Sequence, residues 1–165
     1  MKFADIRNFR VSERYDAAIC LYNVLCDLNG LADLDRVFAT VAKSIKKNSL
    51  FIFDCLYGPA ILKNRPEKKV KEIVFGKKTF IQTRITRLNI KESITDTLFE
   101  VFEVIKGGKQ KITQKRHNVR FWYFTELEYL LHKNGFKIIK TGNAMDFSED
   151  ISEDNWDMFV VAKKI

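Results

Sequence analysis

Histidine, proline and cysteine are scarce: the 165 residues hold two histidines, two prolines and three cysteines. Neither His117 nor His132 has a second ligand at metal spacing, so a zinc site is not expected. Cys20, Cys26 and Cys55 form no C-x-x-C pair, and Cys20 and Cys55 fall in or beside apolar runs, so buried, reduced thiols are expected. No stretch approaches the ~20 apolar residues that cross a membrane. Met1-Lys2-Phe3-Ala4-Asp5 lacks the basic-then-apolar order of a secretory signal. These absences describe a soluble, cytoplasmic chain. Glycine is also sparse, and its seven positions (Gly30, Gly58, Gly76, Gly107, Gly108, Gly135 and Gly142) never form G-x-G-x-G. That excludes the turn through which a backbone approaches a nucleotide closely.

What is present is core material. Hydrophobic residues make up 46% and aromatics 13%, with 14 Phe. A single domain of this length buries roughly 70% of its extended surface. The net charge of +8 is uneven. Lys63 to Lys78 and Lys106 to Arg120 are basic, whereas Glu149, Asp150, Glu153, Asp154 and Asp157 form an acidic stretch. A basic excess suits nucleic acid or a phosphorylated ligand, and equally a solvated face.

The apolar run Ala17-Ala18-Ile19-Cys20-Leu21 does not alternate, which predicts a strand buried on both faces, as in a parallel sheet. A helix follows, with Asp33 as its N-cap, Leu34, Val37, Phe38, Val41 and Ile45 on one face, and Asn48 in the left-handed cap position. Leu50 to Asp54 reads as a second apolar strand, making a strand–helix–strand crossover and an α/β first half. Residues 58–72 hold both prolines and a charge run and read as a loop or an irregular helical turn. From Thr79 the period becomes two. Three antiparallel strands are expected, with a hairpin at Gly107-Gly108, although Leu98 to Ile105 also fits a helical period. Thr125 with Glu128 reads as a capping box opening a helix that stops at Gly135. Strands Phe136 to Thr141 and Trp156 to Ala162 follow and should pair antiparallel.

Several of these segments meet a known pattern. Asp5-Ile6-Arg7-Asn8-Phe9 with Tyr15-Asp16-Ala17-Ala18-Ile19, then Ile45-Lys46-Lys47-Asn48-Ser49-Leu50-Phe51, then Phe124-Thr125-Glu126-Leu127 with Gly135-Phe136, resemble in order the class I S-adenosylmethionine-dependent methyltransferases. The resemblance runs from about residue 4 to the C-terminus. It implies a partial Rossmann-like sheet, strands 4, 5, 7 and 6 of the family order 3-2-1-4-5-7-6, with an inserted antiparallel β-meander. Residues 1–165 then form one truncated methyltransferase domain, with the insert at 67–122 on the substrate side. The meander is similar to that of methyltransferases acting on small molecules, notably on the amino group of nucleotide-linked sugars. The missing glycine-rich motif implies that S-adenosylmethionine binding is incomplete and that the chain alone is inactive.

By the same resemblance, Asp5 accepts from the adenine amino group and Ile6 flanks the ring; Asp5 equally suits a turn. Leu21 and Tyr22 stand at the carboxyl end of a parallel strand, where such sheets bind ligands. Tyr22 is a candidate to contact the cofactor or orient the acceptor, or simply to pack. On the last inserted strand, His117, Val119, Phe121 and Tyr123 share one face. His117 is the candidate base for an amine, its ordinary pKa of about 6.5 suiting that task, and equally a surface histidine. Arg120 and Tyr123 are candidate substrate contacts, with Arg120 suited to a phosphate or carboxylate. The bare edge of the first strand is expected to dimerise or to recruit a separate cofactor-binding half. Two other readings stand beside this one: a nucleic-acid methyltransferase or RNA-binding module, and a non-catalytic remnant.

Overall fold

The structure is a computed structural model and describes residues 3–28, 30–143, 146 and 148–165. The element order is β1 (Tyr15–Cys20), a 3-10 turn (Val24–Asp27), α1 (Leu31–Ser44), β2 (Ile45–Leu56), α2 (Gly58–Lys63), β3 (Lys69–Phe75), β4 (Lys78–Asn89), β5 (Ile94–Ile105), β6 (Gly108–Arg120), α3 (Phe124–Lys133), β7 (Phe136–Asn143) and β8 (Asp157–Lys164). Two compact units result: Met1–Asn64 with Arg120–Ile165, and Arg65–Val119. No described helix is long and apolar enough to cross a membrane.

In the first unit the sheet order is β1-β2-β8-β7. β1 and β2 pair in parallel, with Ala17 opposite Leu50 and Cys20 opposite Phe53. β8 runs antiparallel to β2 on one side and to β7 on the other. Alternation in β2 places Phe51, Phe53 and Cys55 in the core. There Phe51 stacks against Phe38 of α1 and Phe136 of β7, with ring centroids 5.9 Å apart in each pair. Leu34, Val37 and Val41 share the apolar stripe of α1, and Leu127 and Leu131 that of α3.

Neither parallel strand is buried on both faces as the sequence predicts. Ile52 and Val161 are only partly buried and stand in register with Ile19, which is 65% exposed. An uninterrupted apolar run does not by itself say how many faces are covered. β1 pairs only with β2, so it is an edge strand.

Helix ends also differ from expectation. α1 starts at Leu31, two residues ahead of the proposed cap, with Gly30 in the cap position and the Asp33 carboxylate paired with Arg7 (3.2 Å) and Arg36 (3.5 Å). It stops at Ser44, and Asn48 takes its left-handed conformation (φ 68°) inside β2 instead, where the β1–β2 register shifts. α3 begins at Phe124, and its first turn is closed by Glu126, whose carboxylate accepts the Tyr123 N–H at 3.0 Å; Thr125 and Glu128 are not the pair that caps it. Gly135 ends the helix at φ 78°.

The second unit is a sheet of order β3-β4-β5-β6, with four strands where three are expected. β3 lies in the charged segment read as a loop. Lys69, Lys71 and Glu72 interrupt Val70, Ile73, Val74 and Phe75 on a fully exposed edge, a composition that solvates the strand and hides its pattern. β5 is a strand despite its helical period, because β4 supplies a full antiparallel partner from Asn89↔Ile94 to Phe80↔Glu103.

Trp122, fully buried in the first unit, donates its Nε1–H to the Leu25 carbonyl at 3.1 Å. Its own amide donates to Leu56 and its carbonyl accepts from Gly58, both at 2.9 Å. The Phe38→Ala variant should lose about 3–5 kcal/mol of stability, because a filled aromatic cluster becomes a cavity; urea unfolding followed by far-UV circular dichroism measures this.

Candidate functional site

The carboxyl ends of β1 and β2 lie side by side, the place where open α/β sheets bind ligands. There the chain makes a turn of uncommon strain. Tyr22 (φ 67°) and Asn23 (φ 58°) are consecutive non-glycine residues in the left-handed region. What holds them is Asp54 of β2: its carboxylate accepts the Tyr22 N–H at 3.0 Å and the Asn23 N–H at 2.8 Å. The Asn23 side chain donates in turn to Asp157 at 2.8 Å, where β8 begins. Three strands thus converge on one turn, and Tyr22 projects from it 86% exposed. Leu21 beside it is partly buried.

Below this turn Cys26 and Cys55 are buried, and Cys20 is only partly so. Burial pushes Cys20 up to about 11 and Cys26 up to about 12, and Cys55 is raised well above the usual thiol value by the same cause. These are structural thiols without thiolate character at neutral pH.

The segment before β1 is organised by Asp5. Its Oδ1 accepts the Arg7 backbone N–H at 2.9 Å and Nε–H at 3.0 Å, and its Oδ2 accepts from Arg7 Nη2 at 2.7 Å. These bonds to the Arg7 side chain, then to its backbone, hold the Asp5 carboxyl at about 2. Arg7 continues to Asp33 of α1, and Thr40 donates to the Arg7 carbonyl at 2.8 Å, which fastens the segment to the helix. Ile6 is partly buried and lines a cleft of about 400 Å³ with Ala4, Phe9, Val11 and Tyr15.

The remaining candidates are placed differently. Arg120, at the end of β6, pairs with Glu126 at 3.1 Å and lies over the Trp122 ring, 4.5 Å from its centroid. Tyr123 packs edge-on against Phe121 at 6.1 Å, and a side chain at Gly58 would meet its ring at 3.1 Å. His117 is exposed on β6 in the second unit.

No protein-family model matches the sequence, and no curated protein matches it either. Solved structures do match. A S-adenosylmethionine-dependent methyltransferase from Clostridium acetobutylicum superposes with a TM-score of 0.75 at 14% identity, over 98% of this chain and 63% of that one. CalS10, an amino pentose methyltransferase from Micromonospora echinaspora solved with S-adenosylmethionine bound, gives 0.74 at 13% identity over 98% and 63%. The CcbJ methyltransferase from Streptomyces caelestis gives 0.76 at 14% identity over 98% and 66%. This is the fold of the S-adenosylmethionine-dependent methyltransferases.

The chain spans a little under two thirds of each of these proteins. On this fold, Asp54 and Asn23 are residues of the candidate site that sequence reasoning misses. The one signal available is an acid closing an apolar run, Leu50-Phe51-Ile52-Phe53-Asp54. Asp54→Ala removes the acceptor of two amides in a strained turn. It should cost about 1.5–3 kcal/mol and shift the Tyr22 and Asn23 amide resonances while leaving those of α3 in place, as read from urea unfolding and ¹H–¹⁵N spectra.

Proposed function

We propose that this chain is the C-terminal part of a S-adenosylmethionine-dependent methyltransferase acting on a small molecule, with the amino group of a nucleotide-linked sugar as the acceptor class. The observation that carries the reading is the parallel β1–β2 pair, whose carboxyl ends present Tyr22 on a turn clamped by Asp54. β1, β2, β8 and β7 are the counterparts of family strands 4, 5, 7 and 6, and β3 to β6 form the meander inserted on the substrate side. The acceptor class is supported by the amino pentose methyltransferase CalS10 and by KedS8, a sugar N-methyltransferase from Streptoalloteichus sp.

S-adenosylmethionine would supply an electrophilic methyl group, transferred in line to a nucleophile, so positioning carries much of the acceleration. Asp5, Ile6, Leu21 and Tyr22 are the residues assigned to it, Arg120 and Tyr123 to the substrate, and His117 to the proton released by the amine. The fit is incomplete. Arg7 fills both oxygens of Asp5, so adenine would have to displace it. The glycines of positive φ, Gly76, Gly107, Gly108 and Gly135, sit in turns of the insert or at the end of α3, and none offers a nucleotide a close backbone approach. A cofactor-binding half carrying the glycine-rich turn would complete the site, pair with the open edge of β1 and cover the Ile19–Ile52–Val161 face.

The nucleic-acid reading has one observation of its own: 14 of the 29 basic residues but 6 of the 21 acidic ones fall between Arg65 and Val119. RNA binding that weakens steeply with salt is its signature.

Two measurements test the main reading. Calorimetric titration of this chain with S-adenosylmethionine should give no heat, whereas the chain extended by the reading frame upstream of Met1 should bind in the micromolar range and methylate amine acceptors. Micromolar binding by the chain alone would overturn the incomplete site, and an extended chain without binding would overturn the enzyme. In sedimentation velocity, the chain alone should self-associate, and Ile19→Lys, a charge on the apolar edge, should shift it towards monomer. A monodisperse wild-type monomer would refute the open edge.

A further inference from the structure

The second unit carries a feature that the methyltransferase reading does not use. β3 and β4 meet at a turn after Phe75↔Lys78, and β5 leads to β6 through Lys106-Gly107. Because β4 runs antiparallel to β5, with Phe80 opposite Glu103, both turns lie at the same end of the sheet. Their sequences share one pattern: Val74-Phe75-Gly76-Lys77 in the first and Val104-Ile105-Lys106-Gly107 in the second. Each is an apolar pair running into glycine and lysine.

Turns of this kind are usually polar. Here Val74 is 66%, Phe75 78%, Val104 42% and Ile105 45% exposed. Lys78 is neutralised by Glu103 at 2.8 Å. Among the described residues no carboxylate pairs with the exposed Lys77, Lys106 or Lys109. The unit as a whole has eight more basic than acidic residues, and the rest of the chain is balanced at 15 of each.

We propose that this end of the sheet docks peripherally on an anionic phospholipid surface, with Val74, Phe75, Val104 and Ile105 entering the headgroup–acyl boundary and Lys77, Lys106 and Lys109 meeting the lipid phosphates. Lysine beside exposed apolar groups suits that boundary, since each basic residue near an anionic leaflet adds to binding and the apolar side chains lose water on entry. A second copy is disfavoured, because two such ends would bring lysine against lysine. RNA is disfavoured because three of the four apolar side chains are aliphatic and offer no ring for a base to stack on. The inference is independent of any catalytic role.

Vesicle co-sedimentation of the full chain tests it. Vesicles of phosphatidylcholine with phosphatidylserine should bind at least about tenfold more protein than phosphatidylcholine alone, and added salt should release it. The double variants Val74→Ser/Phe75→Ser and Lys77→Glu/Lys106→Glu should each lose about tenfold or more, with far-UV circular dichroism unchanged. Equal sedimentation by wild type and both variants would overturn the proposal, as would no preference for phosphatidylserine. So would salt-sensitive RNA binding that survives in Val74→Ser/Phe75→Ser without vesicle binding, since charge alone would then be the determinant.

Discussion

Parallel pairing of β1 with β2 is the constraint on which the first unit depends. It requires a crossover, which α1 provides, and the crossover needs an apolar stripe, which Leu34, Val37, Phe38 and Val41 form. It also brings two strand ends to one rim, so that a carboxylate on β2 can reach amides that follow β1. The left-handed conformations of Tyr22 and Asn23 are held by that carboxylate, which accepts from both amides at once, and β8 extends the same rim by engaging Asn23 through Asp157. The core and the candidate site therefore share a single cause.

The two sheets manage their edges differently. β3 carries Lys69, Lys71 and Glu72 and is exposed along its length, and charge on an edge is a common protection against pairing with another chain. β1 lacks that protection: Ala17, Ala18 and Ile19 carry no charge, and the apolar register runs through Ile52 to Val161 before Lys140 of β7 ends it. The edge of one unit carries charge, whereas that of the other exposes the kind of surface that packing normally covers. That contrast fits a methyltransferase fold of which the chain spans less than two thirds.

Much of the first unit is legible in the sequence because its signals are local. The apolar runs around Ile19 and Phe51, the helical spacing of α1 and the glycine stop after α3 each depend on a few neighbouring residues. What escapes is set by partners far along the chain. Asp33 looks like a helix cap until Arg7 and Arg36 claim it. Thr125 and Glu128 have the spacing of a capping box, yet Glu126 reaches back to Tyr123, and the helix starts two residues earlier than the motif implies. β3 escapes because lysine is a poor strand signal, and Asp54 because its function as a clamp exists only once two strands are paired. Arg120 reads as a free cation in sequence, and in the structure it leans on Trp122 and Glu126.

Trp122 has a wider implication. The chain leaves the first unit after Asn64 and returns at Arg120, and the Tyr57–Trp122 bridge joins the strand ends on either side of that excursion. Both flanks of that excursion are fixed within the first unit, by an indole bonded to a backbone carbonyl and by amide hydrogen bonds. Because the departing and returning strands are tied to each other, the intervening hairpins can lengthen, shorten or change sequence without breaking those bonds. Selection can then redesign the decorated half of the molecule without renegotiating the other.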